Sequence, residues 1–540
     1  MNVREAVTIL PRLASGTPDR HEVAGRDGPG LSSAEGQPVQ RAEHSTVGAR
    51  ATMNKVILVG LDGFRPEMMT PSLTPCLCAL AQEGVLFKHH RSVFPSETYV
   101  NVSSIMTGAP PAEHGIVANA FLDRRISPTE PWIGSRVDMV EAGMSAYGGD
   151  LVTASTLGDR LGRSDRRLWI LSSNSPGSAR LKHPKAARHD GHLLFVAQDW
   201  PASVPRDEVA RLVSRLGAPP VSADMTASRA LQRYLADAFL FLAEETPLPD
   251  ATVLWFSDPD HSFHAFGLGA EPTREALRSV DLQLGRVVEW WRAHPEHDRI
   301  QLIVTSDHGH ITQTRRVDTA KVFHEAGFRV GGHLEEDAQI ALVPGYCGSI
   351  RVRDGDAGIV AAVAEVLMAH PDAGMIFTRG DAAAVEGLVP GTFNQGLVMA
   401  AHERSADLVF TLGADDAVDP YGFVGTCRYD NPLPVGVGFH GGLHRNEMSG
   451  LLLTAGSAFG SGVEVFNPSS VTDLLPTILS LLGAPMGEAQ GRTLAEAFSR
   501  PVEAPDAAPR SFRVEHQGYA QELHFTYLGE RSHLDHGKRL

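Results

Sequence analysis

Residues 300–310 read IQLIVTSDHGH and place polar, reactive side chains directly after an apolar run. The first six of these residues are mostly apolar or β-branched, which is typical of a strand covered on both faces. Asp307, His308 and His310 then follow within four positions. Because polar side chains are costly inside a core, we expect these three to lie at an edge of a sheet, where the strand ends.

Similar runs recur along the chain, and helical patterns separate them. The further strand candidates are residues 55–61, 167–173, 251–257, 406–412 and 450–456. The predicted helices are residues 75–84, 97–107, 152–162, 225–245, 272–293, 357–369 and 470–482, the last with a capping-box pattern of Ser470 and Asp473. This alternation predicts an α/β fold with a mostly parallel central sheet flanked by helices.

The chain of 540 residues is long enough for one large catalytic domain with an insertion. We assign the core to residues 53–314 and 436–500, and a smaller α+β cap to residues 315–435. Residues 501–540 alternate in polarity as a hairpin does and form a predicted C-terminal extension. Residues 1–52 are rich in Gly, Ser, Pro and mixed charge, so we expect a disordered lead or a stretch upstream of the native start.

Composition limits the partners and the compartment. A net charge of -16 and a pI of about 5.8 argue against binding of long nucleic acid, but they allow a small phosphorylated substrate. The chain has no run of about 18 apolar residues and no secretory signal pattern, so we expect no membrane association. Sparse cysteines form no disulfide framework and favour a cytoplasmic protein: Cys76, Cys78, Cys347 and Cys427.

Aspartates follow three of the apolar runs. Asp62 comes after residues 55–61, Asp258 and Asp260 come after residues 251–257, and Asp307 ends the opening stretch. Ligands in open α/β sheets bind beyond the carboxyl ends of the strands, so this repetition brings carboxylates together. Several buried anions repel one another, and cations are needed to keep them ionised. Taken alone, each aspartate has the simpler interpretation of a helix cap.

Histidines complete the pattern. His264 lies four residues after Asp260, which puts both on one side of a helical turn. His308 is adjacent to Asp307, and His440 lies among glycines in GFHGG. Mixed Asp and His ligands suit zinc or a related transition metal. We assign the neighbouring histidines to solvent or to positions behind the ligands: His261, His310 and His444.

The stretch SVFPSETYVNVSSIMTG, residues 92–108, begins a predicted helix. The hydroxyls of Ser96 and Thr98 are each candidate caps for it. A hydroxyl at a helix N-terminus is also well placed to act on a phosphate, because the free N–H groups there bind its oxygens. Such a nucleophile still needs activation, which a metal ion provides.

Several motifs in order resemble the nucleotide pyrophosphatase/phosphodiesterase (type I phosphodiesterase) branch of the alkaline phosphatase superfamily. They are VGLDGFRPEM (59–68), FPSETYVNVSSIMTGAPPAEHGIVAN (94–119), DPDHSFHAFG (258–267), TSDHGH (305–310), HGGL (440–443) and VTDLLPTILSLLGAP (471–485). The resemblance implies an alkaline-phosphatase-like fold. It also implies a hydrolase that cleaves phosphodiester or pyrophosphate bonds of small, nucleotide-like substrates.

Carried over to this sequence, the resemblance implies a two-zinc site, with Mn²⁺ or another divalent metal as the alternative. Thr98 matches the family's nucleophile, which forms a phosphothreonine intermediate, and Asn119 matches the residue that binds a phosphoryl oxygen. The implied ligands of one ion are Asp62, Thr98, Asp307 and His308, and those of the other are Asp260, His264 and His440.

Two positions depart from the family pattern, and alternatives remain. Val100 stands where many relatives have proline, and Glu97 adds negative charge beside Thr98. HGGL also resembles phosphonoacetate hydrolase, so hydrolysis of a phosphonate or a phosphomonoester at the same site is an alternative. A metal-bound protein that binds a phosphorylated ligand without turnover is the alternative from another class. The leaving group and the oligomeric state stay open.

Overall fold

A computed structural model describes residues 54–220, 228–334, 337–381 and 384–540, so the predicted lead of residues 1–52 lies outside the described residues. The α-helices are α1 Pro75–Glu83, α2 Thr98–Thr107, α3 Pro111–His114, α4 Val137–Ala146, α5 Leu157–Arg163, α6 Pro176–Lys182, α7 Arg206–Leu216, α8 Ser228–Glu245, α9 Asp260–Phe266, α10 Glu271–Ala293, α11 Thr319–Glu325, α12 Ala357–Ala369, α13 Arg445–Met448 and α14 Leu474–Leu482.

The strands, in chain order, are β1 Lys55–Leu61, β2 Val85–Arg91, β3 Ala120–Phe121, β4 Trp132–Ile133, β5 Leu168–Ser172, β6 Leu193–Val196, β7 Ala251–Phe256, β8 Ile300–Thr305, β9 Ile311–Arg316, β10 Val330–Gly331, β11 Ile340–Val343, β12 Cys347–Val352, β13 Ala373–Thr378, β14 Phe393–Asn394, β15 Leu408–Leu412, β16 Ala414–Val418, β17 Val424–Tyr429, β18 Gly438–Phe439, β19 Ser449–Ala455, β20 Val463–Val465, β21 Ser469–Ser470, β22 Ala507–His516, β23 Tyr519–Leu528 and β24 Arg531–Arg539.

The central sheet has the spatial order β20-β2-β19-β8-β1-β7-β5-β6, and β21 pairs with β2. Five consecutive strands of this sheet run parallel to one another: β8, β1, β7, β5 and β6. Strand β19 runs antiparallel to both β8 and β2. The mostly parallel α/β sheet predicted from the sequence is therefore confirmed.

Successive residues of each central strand enter opposite hydrophobic cores. In β1, Ile57 and Val59 pack in one core, and Val56 and Leu58 pack in the other. Helices α1, α8 and α10 cover the first face, and α2, α5 and α14 cover the second. Apolar residues are required at nearly every position because both faces of the sheet are buried, which explains why the strand runs are continuous rather than alternating.

Two of the predicted strands differ in placement from the expectation of a parallel sheet. Strand β15, predicted as residues 406–412, belongs to a second sheet of order β10-β11-β12-β15-β13-β14 and runs antiparallel to β12 and β13. Strand β19, predicted as residues 450–456, is in the central sheet but antiparallel. An apolar run reports burial, and it carries no information on direction or on which sheet receives the strand.

Smaller sheets lie beside the central one. Strands β16, β17, β9 and β18 form a sheet that joins residues of the predicted core and cap segments. The extension forms the antiparallel sheet β22-β23-β24, so the predicted hairpin gains a third strand. This sheet packs on the cap through Leu523 and Phe525, which share a core with Phe377 and Phe393. Within the described residues, no helix combines the length and apolar character that crossing a bilayer requires.

A buried carboxylate fixes helix α1 to helix α10. Asp281 of α10 is 2% exposed, and its two oxygens accept hydrogen bonds from the backbone N–H groups of Cys76 and Leu77 at 2.9 and 3.0 Å. These N–H groups belong to the first turn of α1, which has no intrahelical acceptors for them. Asp281, which lies 204 positions after Leu77 in the sequence, therefore caps the N-terminus of α1.

We expect Asp281→Ala to lower the free energy of unfolding by about 1–3 kcal/mol, because two buried donors lose their acceptor. Urea unfolding followed by circular dichroism measures the change. Glu289→Ala, an exposed change on the same helix, is the matched control and is expected to stay within about 0.5 kcal/mol of wild type. Equal stability of Asp281→Ala and wild type would show that the helix needs no such cap.

Candidate active site

Three aspartates meet at the carboxyl ends of the neighbouring strands β8, β1 and β7. Asp62 and Asp307 follow β1 and β8 directly or within two residues, and both are fully buried. Asp260 begins α9, and its N–H donates to the carbonyl of Asp62 at 3.0 Å. Asp258 instead makes hydrogen bonds within the fold. Its oxygens accept from Ser262 Oγ at 2.8 Å and from Gln232 Nε2 at 3.1 Å.

The first ligand group is a set of candidate metal ligands, with Thr98 beside it. It consists of Asp62, Asp307 and His308. The Nε2 atom of His308 lies 3.0 Å from Thr98 Oγ1, 3.4 Å from Asp307 Oδ2 and 3.6 Å from Asp62 Oδ1. Among the described residues, neither of those two carboxylate oxygens has a hydrogen-bond partner. One oxygen of each aspartate is therefore left for a ligand at the same place.

The other oxygens of the first group are held in place by hydrogen bonds. Asp62 Oδ2 accepts from Asn174 Nδ2 and, at 3.1 Å, from Trp255 Nε1. Asp307 Oδ1 accepts from the N–H of Gly63 at 3.1 Å. These contacts fix which oxygen of each carboxylate points into the site, as the supporting contacts of metal ligands do.

Asp260 and three imidazoles form the second ligand group. Oδ1 of Asp260 lies 3.2 Å from Nε2 of His264 and 3.4 Å from Nε2 of His440. The turn of α9 puts His264 over Asp260, as the spacing of four residues predicts. His310 is the third imidazole, and its Nε2 lies 3.0 Å from the same oxygen. The side chain of His310 is also fully buried, so this histidine does not lie in solvent.

The charges of the site are unbalanced without cations. Burial, and then the charge of Asp260, raise the pKa of Asp62 to about 6. Burial and the charge of Asp62 raise the pKa of Asp307 well above its usual range. Lys182 is buried nearby over the Trp255 ring, but burial lowers its own pKa to about 8. Unpaired carboxylate oxygens and imidazole nitrogens at these positions fit divalent cations such as zinc.

Thr98 is the first residue of α2, and neither predicted cap acts as one. Ser96 Oγ donates to the carbonyl of Gly442 at 2.9 Å, and Thr98 Oγ1 lies within hydrogen-bond distance of His308 Nε2. Glu97 occupies the cap position, but its side chain instead accepts from the N–H of Asn119. Asn119 Oδ1 accepts from the N–H of Tyr99 at 2.9 Å, which brings this amide to the N-terminus of the helix next to Thr98.

The remaining histidine candidates lie apart from both groups. His444 caps α13 by accepting from the N–H of Asn446, and its other nitrogen lies 3.1 Å from Asp416 Oδ1. His261 is half-buried and belongs to neither group. Sequence reasoning missed the supporting residues Asn174 and Lys182. The available signal was weak: Asn174 follows the end of β5, the strand next to β7.

Comparisons with known proteins agree with this architecture. The family model described as "Type I phosphodiesterase / nucleotide pyrophosphatase" matches residues 56–415. Human ectonucleotide pyrophosphatase/phosphodiesterase family member 7 is 23% identical over 313 residues, which is 55% of this chain and 54% of the relative. Mouse bis(5'-adenosyl)-triphosphatase is 24% identical over 283 residues, 51% of this chain and 52% of the relative. This chain thus spans about half the length of these curated relatives.

Solved structures show the same fold. Murine ectonucleotide pyrophosphatase/phosphodiesterase 5 superposes with a TM-score of 0.54 at 19% identity, covering 81% of this chain and 97% of that one. An inactive variant of that murine protein in complex with AMP superposes with a TM-score of 0.54 at 18% identity, covering 83% and 100%. The fold is thereby the one that the sequence motifs imply. The chain belongs to the type I phosphodiesterase/nucleotide pyrophosphatase family.

Proposed function

We propose that this protein hydrolyses phosphodiester or pyrophosphate bonds of small, nucleotide-like substrates at a site for two divalent cations, with zinc as the first candidate. The observation that carries the proposal is the convergence of unpaired oxygens of Asp62, Asp260 and Asp307 with imidazole nitrogens beside Thr98. The names of the relatives, which include a phosphodiesterase family member and a bis(5'-adenosyl)-triphosphatase, support this substrate class.

The two ligand groups would each hold one ion. Asp62, Asp307, His308 and the Thr98 hydroxyl are the proposed ligands of one, and Asp260, His264 and His440 are those of the other. The bound ions would supply the positive charge that lowers the pKa of the Thr98 hydroxyl and stabilises charge on the leaving oxygen.

Thr98 and its surroundings supply the covalent chemistry. Oγ1 of Thr98 forms a bond to phosphorus while the bond to the leaving oxygen breaks, and water then cleaves the phosphothreonine and restores the hydroxyl. The backbone N–H of Thr98 and the side-chain amide of Asn119 would bind the equatorial oxygens, where charge is spread in the transition state. Tyr99 and Glu97 hold Asn119 in place for this role.

A cavity beside the segment that follows Asn119 is a suitable place for the leaving group. It has a volume of about 380 Å³ and lies between the segment after Asn119 and the cap, with a lining that includes Leu122, Arg124, Arg125, Tyr147, Arg351 and Arg404. Leu122 follows Asn119 by three residues, so at most about 11 Å of chain separates them. Arginines outnumber the acidic residues of this lining, which suits a leaving group that itself carries a phosphate.

We expect the double change Arg124→Gln with Arg125→Gln to lower kcat/KM about 10-fold for dinucleotides and nucleotide sugars, because a charge-assisted hydrogen bond is lost. Hydrolysis of an aryl diester, whose leaving group has no phosphate, is expected to stay within about 2-fold of wild type. Arg513→Gln, an exposed arginine paired with Glu515 on the extension, is the control. Equal losses for both substrate types would assign the arginines to something other than the leaving group.

Substrate rates test the proposed function itself. The protein, with and without chelator, is assayed on an aryl diester, an aryl monoester, dinucleotides, nucleotide sugars and phosphonoacetate. Diester or pyrophosphate hydrolysis that exceeds the other rates and is lost with the cations supports the proposal. Faster cleavage of phosphonoacetate or of the monoester would favour the first alternative, and bound cations without any turnover would favour the non-catalytic binder. The cytoplasmic location stays a prediction.

A further inference from the structure

His310 has a feature that a structural core histidine does not need. Its Nε2 is the imidazole nitrogen closest to Oδ1 of Asp260, at 3.0 Å, against 3.2 Å for His264 and 3.4 Å for His440. In the part of the chain that the structure describes, neither this Nε2 nor this Oδ1 makes a hydrogen bond. Two buried polar atoms therefore face one another at short distance with nothing between them.

The opposite nitrogen of each ring faces a backbone carbonyl. Nδ1 of His310 lies 3.3 Å from the carbonyl of Gly63. His264 and His440 repeat this arrangement, with Nδ1 at 2.8 Å from the carbonyls of Gly438 and Ser96, respectively. A carbonyl only accepts, so with a cation at Asp260 each Nδ1 can donate to its carbonyl while each Nε2 gives its lone pair to the ion. Metal-bound histidines are oriented by this kind of contact.

The backbone makes room for the ring of His310. A Cβ atom on Gly63 would lie 2.4 Å from Cε1 of His310 and 3.1 Å from Cβ of Asp260, and Gly63 has a φ of +68°. Only glycine meets both demands without strain. The ring also packs edge-on against Phe263, with the ring centroids 4.8 Å apart. Its position beside Asp260 is therefore built from several sides.

We propose that His310 is a third imidazole ligand of the cation at Asp260, so that this site takes one carboxylate and three imidazoles from the protein. The inference rests on the proposed function only in requiring a cation at Asp260. Its distinguishing consequence is affinity, because a fourth protein donor adds one more bond to the ion, which can expand to five-coordinate when the leaving oxygen binds. We expect the site at Asp260 to bind Zn²⁺ and Co²⁺ more tightly than the other group, which has His308 as its one imidazole.

Cobalt binding to the full chain tests this assignment without an activity assay. Co²⁺ is titrated by equilibrium dialysis, and its visible absorption spectrum reports the ligands. Wild type is expected to bind two ions, the tighter one at Asp260. We expect His310→Gln and His310→Met each to weaken that ion by more than about 100-fold, beyond the roughly 10–100-fold loss typical of a residue behind the ligands, and to change its spectrum. His264→Gln, which removes a ligand from the same group, is the positive control and is expected to weaken the same ion.

His444→Gln is the matched negative control, because this histidine lies near the site in sequence but contacts Asp416 and its own helix instead. Unchanged affinity and spectrum in both His310 variants, alongside a loss in His264→Gln, would overturn the inference and leave the proposed function standing. A wild-type protein that binds no ion at Asp260 would overturn both. Two bound ions with the expected losses but no hydrolysis would support the inference and reject the proposed function.

A zinc-loaded crystal structure of the wild-type protein gives a measurement that needs no variant. We expect Nε2 of His264, His310 and His440 each at about 2.0–2.1 Å from the ion, with an oxygen of Asp260 at a similar distance. An ion bound by Asp260, His264 and His440 with Nε2 of His310 about 3 Å away or farther would overturn the assignment.

Discussion

Thr98→Ala is expected to lower kcat by about 10⁴-fold or more while cation content and the affinity for a product nucleotide stay within a few-fold of wild type. The hydroxyl of Thr98 is the oxygen nearest His308 Nε2 in the site, at 3.0 Å, and Thr98 begins helix α2, whose first N–H would face a bound phosphate. Its removal takes away the atom proposed to bond to phosphorus. The aspartates and imidazoles proposed to hold the cations are left intact.

Single-turnover kinetics and mass spectrometry measure this effect. Acid quenching of the wild-type reaction should trap a phosphoryl group on Thr98, and Thr98→Ala should trap none. Ser103→Ala is the matched control, because this buried hydroxyl lies one turn along the same helix and donates to the carbonyl of Tyr99. Wild-type turnover in Thr98→Ala would show that another group attacks phosphorus and would remove the covalent step from the proposal.

The sequence predicted the elements that physical periodicity determines. Strands β1, β7 and β8 begin and end within a residue or two of their predicted bounds, because each is a continuous apolar run between polar turns. The carboxyl-end rule then brought Asp62, Asp260 and Asp307 to one edge of the sheet. The helical spacing of Asp260 and His264 was informative because residues 260–266 are a helix.

Features that depend on how distant segments meet were not predictable in the same way. Asn174 supports Asp62 only because β5 lies beside β7, an adjacency that no local pattern reports. Asp281 caps a helix some 200 residues away for the same reason. His310 did have a signal: it lies two residues after His308, and in an extended chain that spacing puts both side chains on one side.

Asp307→Asn is expected to change stability with opposite signs in the two states of the protein. Without cations, burial and the charge of Asp62 raise the pKa of Asp307 well above its usual range. This costs stability near neutral pH, because the carboxyl ionises freely only in the unfolded chain. A neutral amide of the same shape removes this cost and keeps an oxygen for the Gly63 N–H. The metal-free variant should therefore be more stable than metal-free wild type, by about 1–3 kcal/mol.

With cations the order reverses. An ion at a free concentration about 1,000 times its dissociation constant stabilises a folded protein by about 4 kcal/mol, so loaded wild type should gain that amount from each tightly held ion. Asp307→Asn removes an anionic ligand of the first group, and it should keep only the gain from the ion at Asp260 while kcat falls several-hundredfold or more. Calorimetry with chelator and with added Zn²⁺ measures both states.

Asp258→Asn separates this effect from the general cost of changing a buried aspartate. Asp258 follows the neighbouring strand β7 and is fully buried, but it accepts hydrogen bonds from Ser262 and Gln232 instead of facing the ligand groups. Its change should shift stability by the same amount with and without Zn²⁺, because the difference between the two states depends on the ligands alone. If Asp307→Asn also shifted the stability of both states equally and the variant kept two ions, Asp307 would have a structural role only. The proposal that Asp307 is a ligand of the first cation would then be wrong.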